Sequence, residues 1–154
     1  MSTREVALDT NVFLLYLVGM VDKGSIAKNK RLAAFDEEAF ERLVDLISGF
    51  DRIIVTPGCL SETTNLLDYD KASRAENFMY LAKLLGTSDA LDERYISARQ
   101  AVNEPSYMWL GITDATYVEI AKRGIPVVTA DLQLFSQVVG YAPDSVNFVS
   151  FALS

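Results

Sequence analysis

Three short stretches of this chain are apolar at every position: Val6-Ala7-Leu8, Ile53-Ile54-Val55 and Val127-Val128. A strand with one wet face alternates apolar and polar residues. A continuous run needs cover on both faces, the condition of a parallel sheet between helix layers. Helical patterns separate the runs. Thr10-Asn11 leads into an apolar helix through about Gly19. Asp36 is placed to cap a helix with Glu37 and Glu38 in its first turn, and Phe40, Leu43, Val44 and Ile47 recur at the i, i+3, i+4, i+7 spacing of one buried face. Pro57 suits the first turn of a helix running to about Leu67. Ala75, Phe78, Met79, Ala82 and Leu85 mark another that stops near Gly86, and Leu91 to Val102 reads as helix. Asp114 to Arg123 is a helix stopped by Gly124 and Pro126. Leu132, Phe135 and Val139 suit a short helix, and Val146 to Phe151 a last strand. Residues 20–35 read mostly as loop, Glu104-Pro105-Ser106 as another, and Asp68-Tyr69-Asp70 as a break. The fold expected is α/β: a three-layer α/β/α sandwich around a central, mostly parallel sheet of four to five strands. With 154 residues and no repeat or linker, a single domain over residues 1–154 is expected.

Composition then narrows the chemistry. The chain has no histidine, which excludes Ser-His-Asp and Cys-His nucleophile systems and every His-ligated metal site. Its one cysteine, Cys59, excludes an intrachain disulfide and a thiolate zinc site, fits a reducing, cytoplasmic setting, and is expected to be a small buried filler. Carboxylates are what remains: Asp plus Glu total 21 against 14 Lys plus Arg, a net charge of −7. That balance argues against a broad basic nucleic-acid surface, but not against an acidic site that recruits phosphates through bound cations. The apolar run Val12 to Met20 is too short to span a membrane, and no secretory leader pattern opens the chain.

Parallel topology places several acids together. Asp9 follows the first strand directly, and Asp131 stands two residues beyond Thr129. Glu62 lies early in the helix that leaves the second strand, and Asp114 opens the helix returning to the third. All four belong at the carboxyl edge, where open α/β sheets bind ligands. Each alone has a plainer reading: Asp9 and Asp131 as helix caps, Asp114 as a first-turn acid, Glu62 as a solvated helix residue. Capping does not predict four at one edge. Two carboxylates ~5 Å apart at an effective dielectric of ~20 repel by about 3 kcal/mol. Hard divalent cations relieve this, and Mg²⁺ or Mn²⁺ suits carboxylate and water ligands. The expectation is phosphodiester hydrolysis by metal-activated water, a route that needs no histidine. Asp36, Asp51, Asp68, Asp70, Asp89, Asp92 and Asp144 are read as caps or surface charges.

The same residues carry a resemblance. Leu8-Asp9-Thr10-Asn11-Val12 resembles the opening of the PIN-domain nucleases, and Thr56-Pro57-Gly58-Cys59-Leu60-Ser61-Glu62 resembles the segment of their second acid. Leu110-Gly111-Ile112-Thr113-Asp114-Ala115 resembles the third-acid segment, and Val127-Val128-Thr129-Ala130-Asp131 is similar to the strand end bearing the fourth. The likeness spans residues 5 to about 150. It implies a Mg²⁺- or Mn²⁺-dependent endoribonuclease leaving a 5′-phosphate and a 3′-hydroxyl, with Asp9, Glu62, Asp114 and Asp131 as catalytic metal ligands and Asn11 and Thr129 as polar support. Many compact relatives are VapC-type toxins of toxin–antitoxin pairs, so the resemblance also implies a homodimer and an antitoxin partner. The stretch between Asp9 and Glu62 is longer than in those compact toxins. It holds Lys23, Lys28, Lys30 and Arg31, the densest basic segment and a candidate for RNA-backbone contact; Lys71 and Arg74 are weaker ones.

Tyr107, Trp109 and Tyr117 are candidates for stacking on unpaired bases, against plainer readings of helix packing for Tyr117 and core or dimer interface for Trp109. Met20, Met79 and Met108 are expected as core fillers. A second function class is a catalytically inactive PIN-like module that acts through protein association. A receiver-type phosphoacceptor domain would want paired acids after its first strand and a lysine after a later one. Here Leu8 leads to Asp9 alone, and Val127-Val128-Thr129 leads to Asp131 without a lysine.

Overall fold

The three apolar runs form the middle of one parallel sheet. In the computed structural model, which describes residues 2–67 and 71–154, the strands are β1 (Glu5–Leu8), β2 (Arg52–Val55), β3 (Leu91–Glu93), β4 (Val127–Thr129) and β5 (Val146–Asn147). They lie in the order β3-β2-β1-β4-β5, and all neighbouring pairs are parallel. Val6, Ala7, Leu8, Ile54, Val55 and Val127 are wholly buried, as strands covered on both faces must be. Helices flank the sheet, so the expected α/β sandwich stands, with five strands. The break at Asp68-Tyr69-Asp70, and the roles expected of Asp68 and Asp70, lie outside the described residues.

The helices are α1 (Thr10–Val21), α2 (Glu37–Ile47), α3 (Pro57–Leu66), α4 (Lys71–Thr87), α5 (Ala98–Ala101), α6 (Tyr107–Leu110), α7 (Ile112–Lys122), α8 (Leu132–Val138) and α9 (Phe148–Leu153). Helix α1 packs on α2, α3 and α4, while α7 packs on α5, α6 and α8. This grouping follows from right-handed crossovers. The chain steps outward one way from β1 through β2 to β3, then returns past β1 and steps the other way through β4 to β5. The reversal falls between β1 and β4. Their carboxyl ends carry Asp9 and Asp131, at the switch point where such sheets open a crevice.

Local signals account for the element ends. Asp36 caps α2 through a hydrogen bond from the Ala39 amide at 2.8 Å. Thr56 caps α3 at the Cys59 amide (3.1 Å), with Pro57 in the first turn. Gly19, on α1, lets that helix approach α2: a Cβ there would lie 2.2 Å from the Phe40 ring.

Several expectations are corrected. Leu91 to Val102 is not one helix. Leu91-Asp92-Glu93 pairs with Ile53-Ile54-Val55 as the edge strand β3, and only Ala98–Ala101 is helical, capped by Ser97 at the Gln100 amide. Pairing of a three-residue edge strand leaves no apolar run to read, and Arg94 secures it by bridging Asp92 and Glu5 at 2.9 and 2.8 Å. The last strand ends at Asn147, and Phe148–Leu153 is helical. A short apolar run does not distinguish strand from helix; here Phe148 packs on Phe35 and Phe151, with centroids 5.4 and 6.0 Å away. Residues 20–35 are more ordered than a loop. Helix α1 continues to Val21, and two 3₁₀ segments, Lys23–Lys28 and Lys30–Leu32, bury Ile26 and Leu32. Met20, Met79 and Met108 are not core fillers, being 43%, 73% and 82% exposed. Among the described residues no helix is long and apolar enough to cross a membrane.

Replacing Gly19 with alanine forces the buried Phe40 ring out of place and is expected to destabilise the fold by about 1–3 kcal/mol. Urea denaturation measures this; an unchanged midpoint would contradict the close packing of α1 on α2.

Candidate functional site

Asp9 begins the site because β1 ends there. Its amide still donates to Val128 O (3.2 Å), which continues the pairing of β1 with β4, while its carbonyl accepts the first bond of α1 from Phe13. One carboxylate oxygen accepts from the Val12 amide (3.2 Å), the capping role expected of an acid here. The other accepts from the Thr129 hydroxyl at the end of β4. That same hydroxyl accepts from the Asp131 amide at 2.9 Å. Thr129 is thus a buried link between two acids rather than only a strand residue. Asp131 in turn caps α8, its Oδ1 accepting from the Gln133 (2.8 Å) and Leu134 (3.3 Å) amides, and its side chain is exposed. Capping and convergence hold together for both aspartates.

Glu62 reaches the same place from α3. Its two carboxylate oxygens accept from the Thr10 and Thr113 hydroxyls, each at 3.0 Å, so it spans the starts of α1 and α7. Gly58 permits this approach: a Cβ there would stand 3.1 Å from Thr113 Oγ1. Asp114, in the first turn of α7 and partly buried, accepts no hydrogen bond within the described residues. Burial, then the charges of Asp9, Asp131 and Glu62, push it up to about 7. Burial also pushes Asp9 up to about 6, against the hydrogen bonds of Thr129 and Val12 and with the help of the charge on Asp131. Asp114 therefore feels the charge of three acids brought to it by other elements. Among the described residues no lysine or arginine forms an ion pair with any of them.

These acids are neighbours without being a formed coordination shell. Among the described residues no group of three or more Asp, Glu, Cys or His side chains is arranged to hold a metal ion as it stands. Asp9, Glu62 and Asp131 are each held by protein hydroxyl or amide donors. In donor chemistry they nonetheless fit a hard divalent cation: uncompensated carboxylate oxygens, with neither thiolate nor imidazole among them.

Asn11, in the first turn of α1, is partly buried; the helix cap is Asp9, so capping is not its role. The basic segment lies apart from the acids. Lys23 stands beyond the end of α1, a helix ~18 Å long, and its ammonium is engaged by Glu41 at 2.7 Å. Lys28, Lys30 and Arg31 are exposed on the 3₁₀ segments, with no hydrogen bond or ion pair to the four acids. Tyr117 is wholly buried, so the packing reading holds and stacking on a base does not. Trp109 is not core: it is 57% exposed on α6, ahead of α7 and Asp114. Buried Glu104 anchors that one-turn helix by accepting from the amide and hydroxyl of Ser106 and by pairing with Lys122 at 3.3 Å. Glu104 was not singled out from the sequence. Nor were the Thr10 and Thr113 hydroxyls, although each adjoins a site acid in the chain, which was the available sign.

An acid whose folded pKa is raised holds its proton after the unfolded chain has released it. Stability is therefore lost as pH rises from about 4 toward 7. Asp114→Asn should flatten that decline in metal-free buffer and raise the melting temperature at pH 7.5. Thermal unfolding from pH 4 to 8 checks it; a pH profile identical to that of the parent would contradict the charge crowding.

No family model, curated protein or solved structure matches this chain. The chemistry assigned to the edge rests on the placement of its own residues.

Proposed function

We propose that this chain is a Mg²⁺- or Mn²⁺-dependent endoribonuclease of the PIN type, acting at the carboxyl edge of its sheet. The observation that carries the reading is the convergence of Asp9, Glu62, Asp114 and Asp131 from separate elements, with no ion pair to a cationic side chain among the described residues. Such a site repels a phosphodiester until cations reverse its sign. Held by Asp9, Glu62, Asp114 and Asp131, a divalent ion would supply Lewis-acid charge for the phosphate oxygens and lower the pKa of a water.

The residues of the chain do the rest. Asp9 and Asp114 would supply the buried and partly buried donors, Asp131 and Glu62 the outer ones. Thr129 orients Asp9, and Thr10 and Thr113 orient Glu62. With Asp9 and Asp114 raised to about 6 and 7, cation binding displaces protons and strengthens as pH rises through that range. Asn11, partly buried beside Asp9, is a polar group available to the substrate. The exposed Trp109 ring offers a stacking face for an unpaired base, and base–aromatic stacking contributes roughly 1–3 kcal/mol. The resemblance alone carries the toxin role, the antitoxin and the homodimer. The basic segment, set apart from the acids, supports a backbone contact only for RNA that extends well beyond the cleaved bond.

The test is cleavage of single-stranded RNA with Mn²⁺, alongside thermal unfolding with and without the ion. Cleavage is expected, with Asp9→Asn and Asp114→Asn each lowering it by at least roughly 100-fold, the upper end of what outer-shell changes cost. Trp109→Ala should raise KM more than it lowers kcat. Manganese at 100 times its Kd should stabilise the parent by about 2.7 kcal/mol. Equal cleavage by the parent and both variants would place the activity elsewhere. Neither cleavage nor stabilisation would favour a catalytically inactive module acting through protein association.

A further inference from the structure

Beneath the acids, one backbone atom gathers three of the elements that bear them. The carbonyl oxygen of Leu8, the last residue of β1, accepts from the Tyr117 phenol at 2.5 Å and from the Cys59 thiol at 3.9 Å. Both donors are wholly buried. Leu8 immediately precedes Asp9, Tyr117 lies three residues after Asp114 on α7, and Cys59 lies three residues before Glu62 on α3. Residues three apart share a helix face. Each tether therefore stands one turn from an acid, on the same side of its helix. Helices α3 and α7 meet the end of β1 from the two layers that flank the sheet.

The anchor is placed where β1 loses its neighbour on one side, while its pairing with β4 runs on through Leu8↔Val128. Parallel pairing of β1 with β2 ends at Ala7↔Ile54, one residue before Leu8. Side-chain donors from α7 and α3 supply hydrogen bonds to the Leu8 carbonyl, as a buried carbonyl requires. A phenol is rigid, so its reach fixes the offset of α7 from the strand end as a flexible side chain would not. The fourth acid is coupled separately, through Thr129.

We propose that Tyr117, with Cys59 as its weaker counterpart, is a positioning residue for the acidic site: by tying α7 and α3 to the Leu8 carbonyl it sets where Asp114 and Glu62 stand relative to Asp9. The inference deepens the metal-site reading and, for its effect on metal affinity, rests on it. Tyr117→Phe keeps the ring and its packing and removes the phenol oxygen, with its bond to the Leu8 carbonyl and its interactions with the Cys59 and Thr56 side chains.

Two measurements on the full chain decide it. The first is Mn²⁺ affinity from the free-ion electron paramagnetic resonance signal, beside thermal unfolding of the metal-free protein. Tyr117→Phe should weaken Mn²⁺ binding roughly 10–100-fold, as changes to groups that orient metal ligands do. Cys59→Ala should weaken it less, and the Tyr117→Phe effect should shrink when Asp114→Asn is already present. A role in packing alone would lower the melting temperature and leave Mn²⁺ affinity unchanged, which would overturn the proposal. The second is the backbone amide NMR spectrum of metal-free Tyr117→Phe. Shifts are expected at Thr10, Glu62, Thr113 and Asp114, with the strand starts Glu5 and Arg52 unmoved. Shifts confined to the immediate neighbours of residue 117 would overturn it. If the parent bound no manganese, the metal-site reading would fall and the amide spectrum would still decide the tie.

Discussion

Like charge gathered at a sheet edge is the constraint on which the rest of this structure turns. Asp9, Glu62, Asp114 and Asp131 crowd the switch point between β1 and β4, and the surroundings compensate with dipoles instead of opposite charges. Threonine hydroxyls and helix-start amides do that work: Thr129 and Val12 for Asp9, Thr10 and Thr113 for Glu62, Gln133 and Leu134 for Asp131. Asp114 has no such donor among the described residues and is pushed up to about 7, further than Asp9. Hydrogen bonds to a carboxylate favour its charged form and burial disfavours it, so Asp9, which accepts from Thr129 and Val12, is raised less than Asp114. Asp9 and Asp114, raised to about 6 and about 7, change charge near neutral pH, so a change of pH reaches this edge directly.

Ion pairs occur elsewhere and serve other purposes. Arg94 bridges Asp92 and Glu5 beside the edge strand, and Lys122 pairs with Glu104 beneath α6. The buried Glu104 contact fixes a one-turn helix that presents Met108 and Trp109 to solvent. Rigid support under an exposed ring keeps low the entropy cost of using that ring in binding. Exposed Ile112 and Leu132 open α7 and α8 next to Asp114 and Asp131, so apolar side chains border the acids.

Much of this was readable in the chain. Val6-Ala7-Leu8 and Ile53-Ile54-Val55 announce doubly covered strands because the physics of burial on both faces admits no alternation, and right-handed crossovers then carry Asp9, Glu62, Asp114 and Asp131 to one edge. What was hidden depends on partners distant in sequence. Leu91-Asp92-Glu93 is a strand only because β2 lies beside it, and Phe148 turns helical because Phe35 and Phe151 receive it. The exposed methionines Met79 and Met108 could not be told from core by residue type. At the site, the sequence places acids at an edge, but the hydroxyls that hold Glu62 come from two other helices, and the tie from Tyr117 to Leu8 spans most of the chain.

The edge is proposed to bind a divalent cation. Crystals soaked in Mn²⁺ and measured at a wavelength where manganese scatters anomalously test it most directly. An anomalous peak between Asp9 and Asp114, with Asp131 or Glu62 turned toward it, is the predicted result. Manganese bound only at other surface acids, with the edge unchanged, would rule out a cation site there.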